Sequence, residues 1–128
     1  LTDADARVRC LSAIALQSMG AKSAPAVPQL VQALHDPVNY VRMSVANALG
    51  AIGPSSRAAV PALVERLRLK DEEDGFVLAC IAHALGQIGT AAKEALPTLR
   101  EVVDRRRVGA EAQEAILEIE AKPVPRYH

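Results

Sequence analysis

Aromatic side chains are nearly missing from this chain: its 128 residues include one Phe, two Tyr and no Trp. A core of stacked rings is thereby excluded. The 50% hydrophobic content must instead come from Ala, Leu, Val and Ile, a composition suited to helices that approach one another closely. Net charge is missing as well, with fifteen Lys and Arg set against fifteen Asp and Glu. A surface that neutralises a phosphate backbone needs an excess of cations, so this balance argues against a nucleic-acid partner. No apolar run approaches the roughly 18 to 20 residues that a membrane span requires. The longest, residues 77–85, is short and contains His83, which argues against a membrane protein. The chain opens Leu1-Thr2-Asp3, with neither the basic nor the apolar region of a targeting peptide. Cysteine is limited to Cys10 and Cys80, with no CxxC pairing, which reads as two reduced structural thiols in a cytoplasmic protein.

What the chain does have is repetition. A thirteen-residue pattern occurs at 8–20, 41–53 and 77–89, each copy ending in glycine: Gly20, Gly53 and Gly89. Eight residues after each glycine stands a proline, Pro28, Pro61 or Pro97, at intervals of 33 and 36 residues. Such periods with helical content indicate a stacked two-helix repeat. The three extra residues of the second interval fall in the polar stretch 70–75, where an insertion costs little.

Within the copies, apolar residues recur at helical spacing: Val8, Ala15, Leu16 and Met19; Val41, Val45, Ala48, Leu49 and Ile52; Val77, Ile81, Ala84, Leu85 and Ile88. Each copy predicts an amphipathic helix closed by a glycine suited to a positive-φ cap. Between them the pattern predicts shorter helices over 24–34, 56–68 and 91–103, with stripes such as Val27, Leu30, Val31 and Leu34. The prolines fall inside these spans, which predicts a bend at one repeat position. Ser23, Ser55 and Ser56, near the starts of the short helices, read as caps rather than nucleophiles.

A weaker copy over 108–121, with Val108, Ala112, Ala115, Ile116 and Ile119, reads as a closing helix and brings the total to seven. Leu1-Thr2-Asp3 aligns with Leu34-His35-Asp36, so Leu1 corresponds to the last core residue of a preceding short helix, as expected of a piece of a longer array. The units are a partial one at 1–20, then 24–53, 56–89 and 91–121, forming one repeat domain over 1–121 with a tail at 122–128.

The pattern D-x(4)-V-R-x(3)-A-x-A-L-G-x-I-G followed by P-x-L-x(3)-L resembles the HEAT-repeat family, particularly the HEAT-like repeats of phycobilisome lyases, and runs from Asp3 to Ala121. That resemblance implies an all-α, right-handed solenoid of about three and a half repeats, used mostly as a protein-binding scaffold. It also implies a ladder of Asp and Arg between adjacent repeats, here Asp3 with Arg9 and Asp36 with Arg42; the third copy departs from it, with Leu78 at the arginine's place. Iron-dependent hydroxylases on this fold carry His-Glu pairs, whereas His35 and His83 are followed here by Asp36 and Ala84.

In such solenoids the longer helices line the concave surface, and the positions that the core pattern skips face outward. They are Arg7, Cys10, Ile14 and Gln17; Tyr40, Met43, Asn47 and Ala51; Phe76, Ala79, His83 and Gln87; then Glu114 and Glu118. This mixed apolar and polar strip suits a peptide or a partner helix. Tyr40 and Phe76 share one repeat position, where a large side chain either anchors a partner or closes the turn. His83 has no carboxylate placed to make it a metal ligand or a general base, and no GxSxG elbow, Walker loop or Cys-His pair occurs. The expectation is a monomeric, non-catalytic interaction scaffold without cofactor or metal. The alternative is a relative of the bilin lyases and isomerases that holds a tetrapyrrole, whose propionates would want cations where only Arg7 stands. The basic run 105–107 and the acidic run 71–74 are expected to face each other along one edge of the solenoid.

Overall fold

A computed structural model describes residues 1–68, 75–102 and 109–121. The runs 71–74 and 105–107 and the tail 122–128 lie outside the described residues, and with them the expected pairing of the two charged runs. The described residues form seven α-helices and no strand: α1 (Ala6–Met19), α2 (Val27–Ala33), α3 (Asn39–Ile52), α4 (Val60–Arg68), α5 (Gly75–Ile88), α6 (Leu96–Val102) and α7 (Gly109–Ile119). The long helices α1, α3, α5 and α7 pack on one another in chain order, and α2, α4 and α6 fill a second layer behind them. The result is the two-layer helical-repeat solenoid that the periodicity predicts.

Each long helix ends because its glycine turns the chain. Gly20, Gly53 and Gly89 all take positive φ, between 57° and 76°, which costs glycine nothing and strains any other residue. A 3-10 segment follows each one, Gly20–Ala26, Gly53–Ala59 and Gly89–Ala95, and only then does the short α-helix begin. The short helices therefore start later than the pattern predicts. Pro28, Pro61 and Pro97 are the second residues of α2, α4 and α6, in the first turn, where an α-helix has no use for a backbone donor. They mark the passage from 3-10 to α geometry rather than a bend inside a helix.

The core lies between the layers. Val41, Val45, Ala48, Leu49 and Ile52 of α3, with Val77, Ile81, Ala84, Leu85 and Ile88 of α5, are buried against Leu30, Leu34, Leu63, Leu67 and Leu99. Ser23 and Ser56 are buried too, and their role differs from the expected cap. Their hydroxyls donate, both at 2.8 Å, to the carbonyls of Leu16 and Leu49, near the C-terminal end of the preceding long helix. They thereby satisfy acceptors that the end of a helix leaves open. Ser55 is exposed.

The first helix departs from the predicted core. Val8 is 42% exposed and Met19 53%, Ala15 is exposed as well, and of that stripe only Leu16 is partly buried. The equivalent Val41 and Ala48 are covered because α1 lies beside α3; among the described residues no helix lies on the corresponding side of α1.

The helical run 75–102 is long and apolar enough to cross a membrane. It turns at Gly89, where φ is 75°, and much of it forms the core just described.

Candidate partner-binding face

The long helices stack closely because small residues meet at their seams. A Cβ added to Gly50 would collide with the Gln87 side-chain oxygen and lie 2.9 Å from the Ala84 Cα. One added to Gly86 would lie 3.0 Å from the Ala115 Cα and 3.2 Å from the Glu118 carboxylate. At these two junctions the backbones approach almost to contact, and the α5–α7 junction repeats the register of the α3–α5 one.

This stacking sorts the fourteen outward-predicted residues into two groups. Arg7, Ile14, Gln17, Tyr40, Phe76, His83, Gln87 and Glu114 are exposed. Cys10, Met43, Asn47, Ala51, Ala79 and Glu118 are only half exposed. Cys10 shows why. Its thiol lies 3.1 Å from the Ser44 hydroxyl, which itself donates to the Tyr40 carbonyl at 3.0 Å, so the thiol is the donor and the contact joins α1 to α3. Gln87 is exposed yet also covers Gly50, as Glu118 covers Gly86. What remains is a row of helix-start anchors, Arg7, Tyr40 and Phe76, and a parallel row of Ile14, His83 and Glu114, in which the equivalent Asn47 of α3 is only half exposed.

Charge along the first row is local. The Arg7 guanidinium pairs with Asp5 at 2.9 Å, and Asp5 also accepts the Arg7 backbone N–H at 2.9 Å as the N-cap of α1. These hydrogen bonds hold the Asp5 carboxyl below its usual range. Among the described residues His83 makes no hydrogen bond or ion pair. Among the described residues no three His, Cys, Asp or Glu converge in a way that could hold a metal.

One rung of the expected Asp and Arg ladder is present, in an offset register. Arg9 does not pair with the Asp3 carboxylate; it donates from Nε to Asp36 at 2.7 Å and from Nη2 to the other Asp36 oxygen at 3.2 Å, one repeat ahead. Its Nη1 reaches back to the Asp3 and Ala4 carbonyls at 2.8 and 3.1 Å. Arg42 likewise donates to the Asp36 carbonyl, at 2.7 Å, rather than to its carboxylate. Spacing places Asp and Arg on one edge but leaves undecided which repeat each Arg bridges.

Sequence reasoning missed Leu11, which is 64% exposed on α1. The signal lay in the alignment: Leu11 occupies the position of Ser44 and Cys80.

Residues 1–74 match the family described as HEAT repeats. Among solved structures, the chain superposes on the crystal structure of an engineered protein with a TM-score of 0.74 and 23% identity, over 96% of this chain and 60% of that one. At that identity the likeness speaks for the fold alone, and this chain spans less than two thirds of that protein. None of the curated proteins compared with the chain matches it.

Proposed function

The chain belongs to the HEAT-repeat family, and on that premise we propose that it is a non-catalytic protein-interaction module that takes a partner peptide or helix along the exposed face of its long helices. A helical-repeat scaffold of this kind offers one continuous surface, because each repeat adds the same exposed positions beside the last. The observation that carries the reading is the pair Tyr40 and Phe76, 41% and 62% exposed, at one repeat position of adjacent stacked helices. Large aromatic side chains set side by side on a rigid surface are typical anchors for a partner. Ile14, at 45%, extends the apolar surface onto α1, and Glu114 places an acid at the far end.

No observation favours the bilin reading: the cation it needs would be Arg7, which is paired with Asp5. The supporting test is affinity capture with the wild-type chain and with a Tyr40→Ala/Phe76→Ala variant. Loss of two anchors should lower recovery of specific partners by about tenfold or more, with unchanged helicity by circular dichroism. Equal recovery of every partner by the double variant would remove the site from this face.

A further inference from the structure

The exposed face of the long helices runs onto α7, where it carries two carboxylates that the fold itself does not use. Glu114 occupies the repeat position of Asn47 and His83, and Glu118 that of Ala51 and Gln87. Glu118 lies over the α5–α7 seam, its carboxylate 3.2 Å from where a Cβ on Gly86 would stand. Gln87 covers Gly50 in the same way at the α3–α5 seam. A neutral amide thus does at one junction the packing that a carboxylate does at the next, so the seam needs the length of this side chain and not its charge.

The charge also runs against local preference. Glu118 stands in the last turn of α7, which holds no basic residue, and there the helix dipole opposes a negative charge. Glu114 precedes it by four residues on the same helix face, a spacing at which like charges repel. Among the described residues neither carboxylate makes a hydrogen bond or an ion pair, whereas nearby Glu120 is paired with Arg100 at 3.3 Å. Glu111, in the first turn, has a structural reason to be acidic, because the dipole favours it there. On the facing side α5 presents His83 and Gln87, and its sequence contains no Lys or Arg. Charges that break local rules without a gain to the fold mark a place shaped by function.

We infer that the segment bound on this face is amphipathic and basic: its apolar side chains rest on Tyr40 and Phe76, and a Lys or Arg reaches Glu114 and Glu118. This rests on the reading of that face as the binding surface and adds the chemistry of what it takes. Arg7, the cation at the α1 end, is already paired with Asp5, so the unbalanced charge of the face lies on α7. That sets the direction of the segment, with its basic residue beyond Phe76 on the side away from Tyr40. A nucleic acid, an anionic lipid surface or an acidic peptide would bring more negative charge to the two glutamates and is repelled.

The probe is a random-peptide library displayed on phage and selected on the full chain. Enriched peptides should combine apolar side chains with Lys or Arg, and the most enriched one, labelled with fluorescein, should bind saturably by fluorescence anisotropy. Glu114→Gln/Glu118→Gln should weaken it by about tenfold or more with the helicity unchanged, since Gln87 already packs an amide over a seam glycine. Glu114→Lys/Glu118→Lys should weaken it further and select acidic peptides from the same library. Tyr40→Ala/Phe76→Ala should weaken the peptide as well. Enriched peptides that need the aromatic pair but show no excess of Lys and Arg, or that bind the Gln variant as tightly as the wild type, overturn the inference and leave the binding face standing. Peptides that need the two glutamates and ignore the aromatic pair refute it too, because attraction of any polycation to α7 then accounts for the binding. No enrichment, or binding that ignores all three variants, removes the face and the inference together.

Discussion

Two glycines three residues apart, one inside α3 and one closing it, do different work. Gly53 holds φ at 76° with its nearest neighbour, the Gln87 carbonyl, 3.9 Å from where a Cβ would stand, so only its backbone conformation demands glycine. Gly50 is helical, and there the demand is space: the Ala84 Cα would lie 2.9 Å from an added Cβ. Gly53→Ala should therefore lower stability by about 1–3 kcal/mol through left-handed strain. Gly50→Ala gains helix propensity, roughly 0.5–1 kcal/mol, yet should still destabilise because separating two backbones costs more, about 1–3 kcal/mol. Thermal melts of the two variants check this, and a higher melting temperature for Gly50→Ala would show that the seam can open at little cost. The role of Gly53 was legible in the sequence, since it recurs with Gly20 and Gly89 at the end of every copy. That of Gly50 was not, because Gln17 stands at its position on α1 and only the close approach of α5 reveals the constraint.

At the scale of elements, α1 is tied to the turn before α3 by one ion pair whose side chains are 13% and 6% exposed, Arg9 and Asp36. Burial of Asp36 works against its ionisation. The Arg9 guanidinium, the Val38 N–H and the charge of Arg42 outweigh that effect and hold its carboxyl below the usual range. A depressed carboxyl stabilises the fold above its unfolded-state value of about 3.9, and the contribution is lost as pH falls through the lower folded value. Arg9→Met should thus melt below the wild type at neutral pH, and the gap should close as the pH is taken well below about 4. A gap that is the same at pH 7 and at pH 3 would mean that packing of the arginine stem, not the charge pair, is what the substitution removes. The residue types of this ladder were readable from the repeat, whereas its offset was not. Bridging one repeat ahead depends on how far α1 and α3 slide along each other, which is set by the seam of Cys10, Ala13 and Ser44.

For the whole molecule, the stack is a one-dimensional array in which a repeat's stability depends on its neighbours. The helices α3 and α5 are each packed between two long helices, whereas α1 is packed on one. Amide hydrogen exchange should accordingly be slowest in α3 and α5 and at least about tenfold faster in α1, reflecting local opening at that end. Uniform protection across α1, α3 and α5 would indicate that the array unfolds as a single unit.

The sequence by itself determined the all-helical class, the alternation of long and short helices, the glycine turns and the core stripes of α3 and α5. All of these follow from local rules of helical spacing and backbone conformation. Where the short helices begin, that Ser23 and Ser56 tie back to the preceding helix, which carboxylate Arg9 holds, and that Val8, Leu11 and Met19 face solvent were decided only by the tertiary structure. The physical reason is that an amphipathic stripe records what a helix could bury, while actual burial needs a neighbour. The apolar pattern on α1 is nearly the same as on α3, and one is open and the other closed because, among the described residues, a helix covers only one of them.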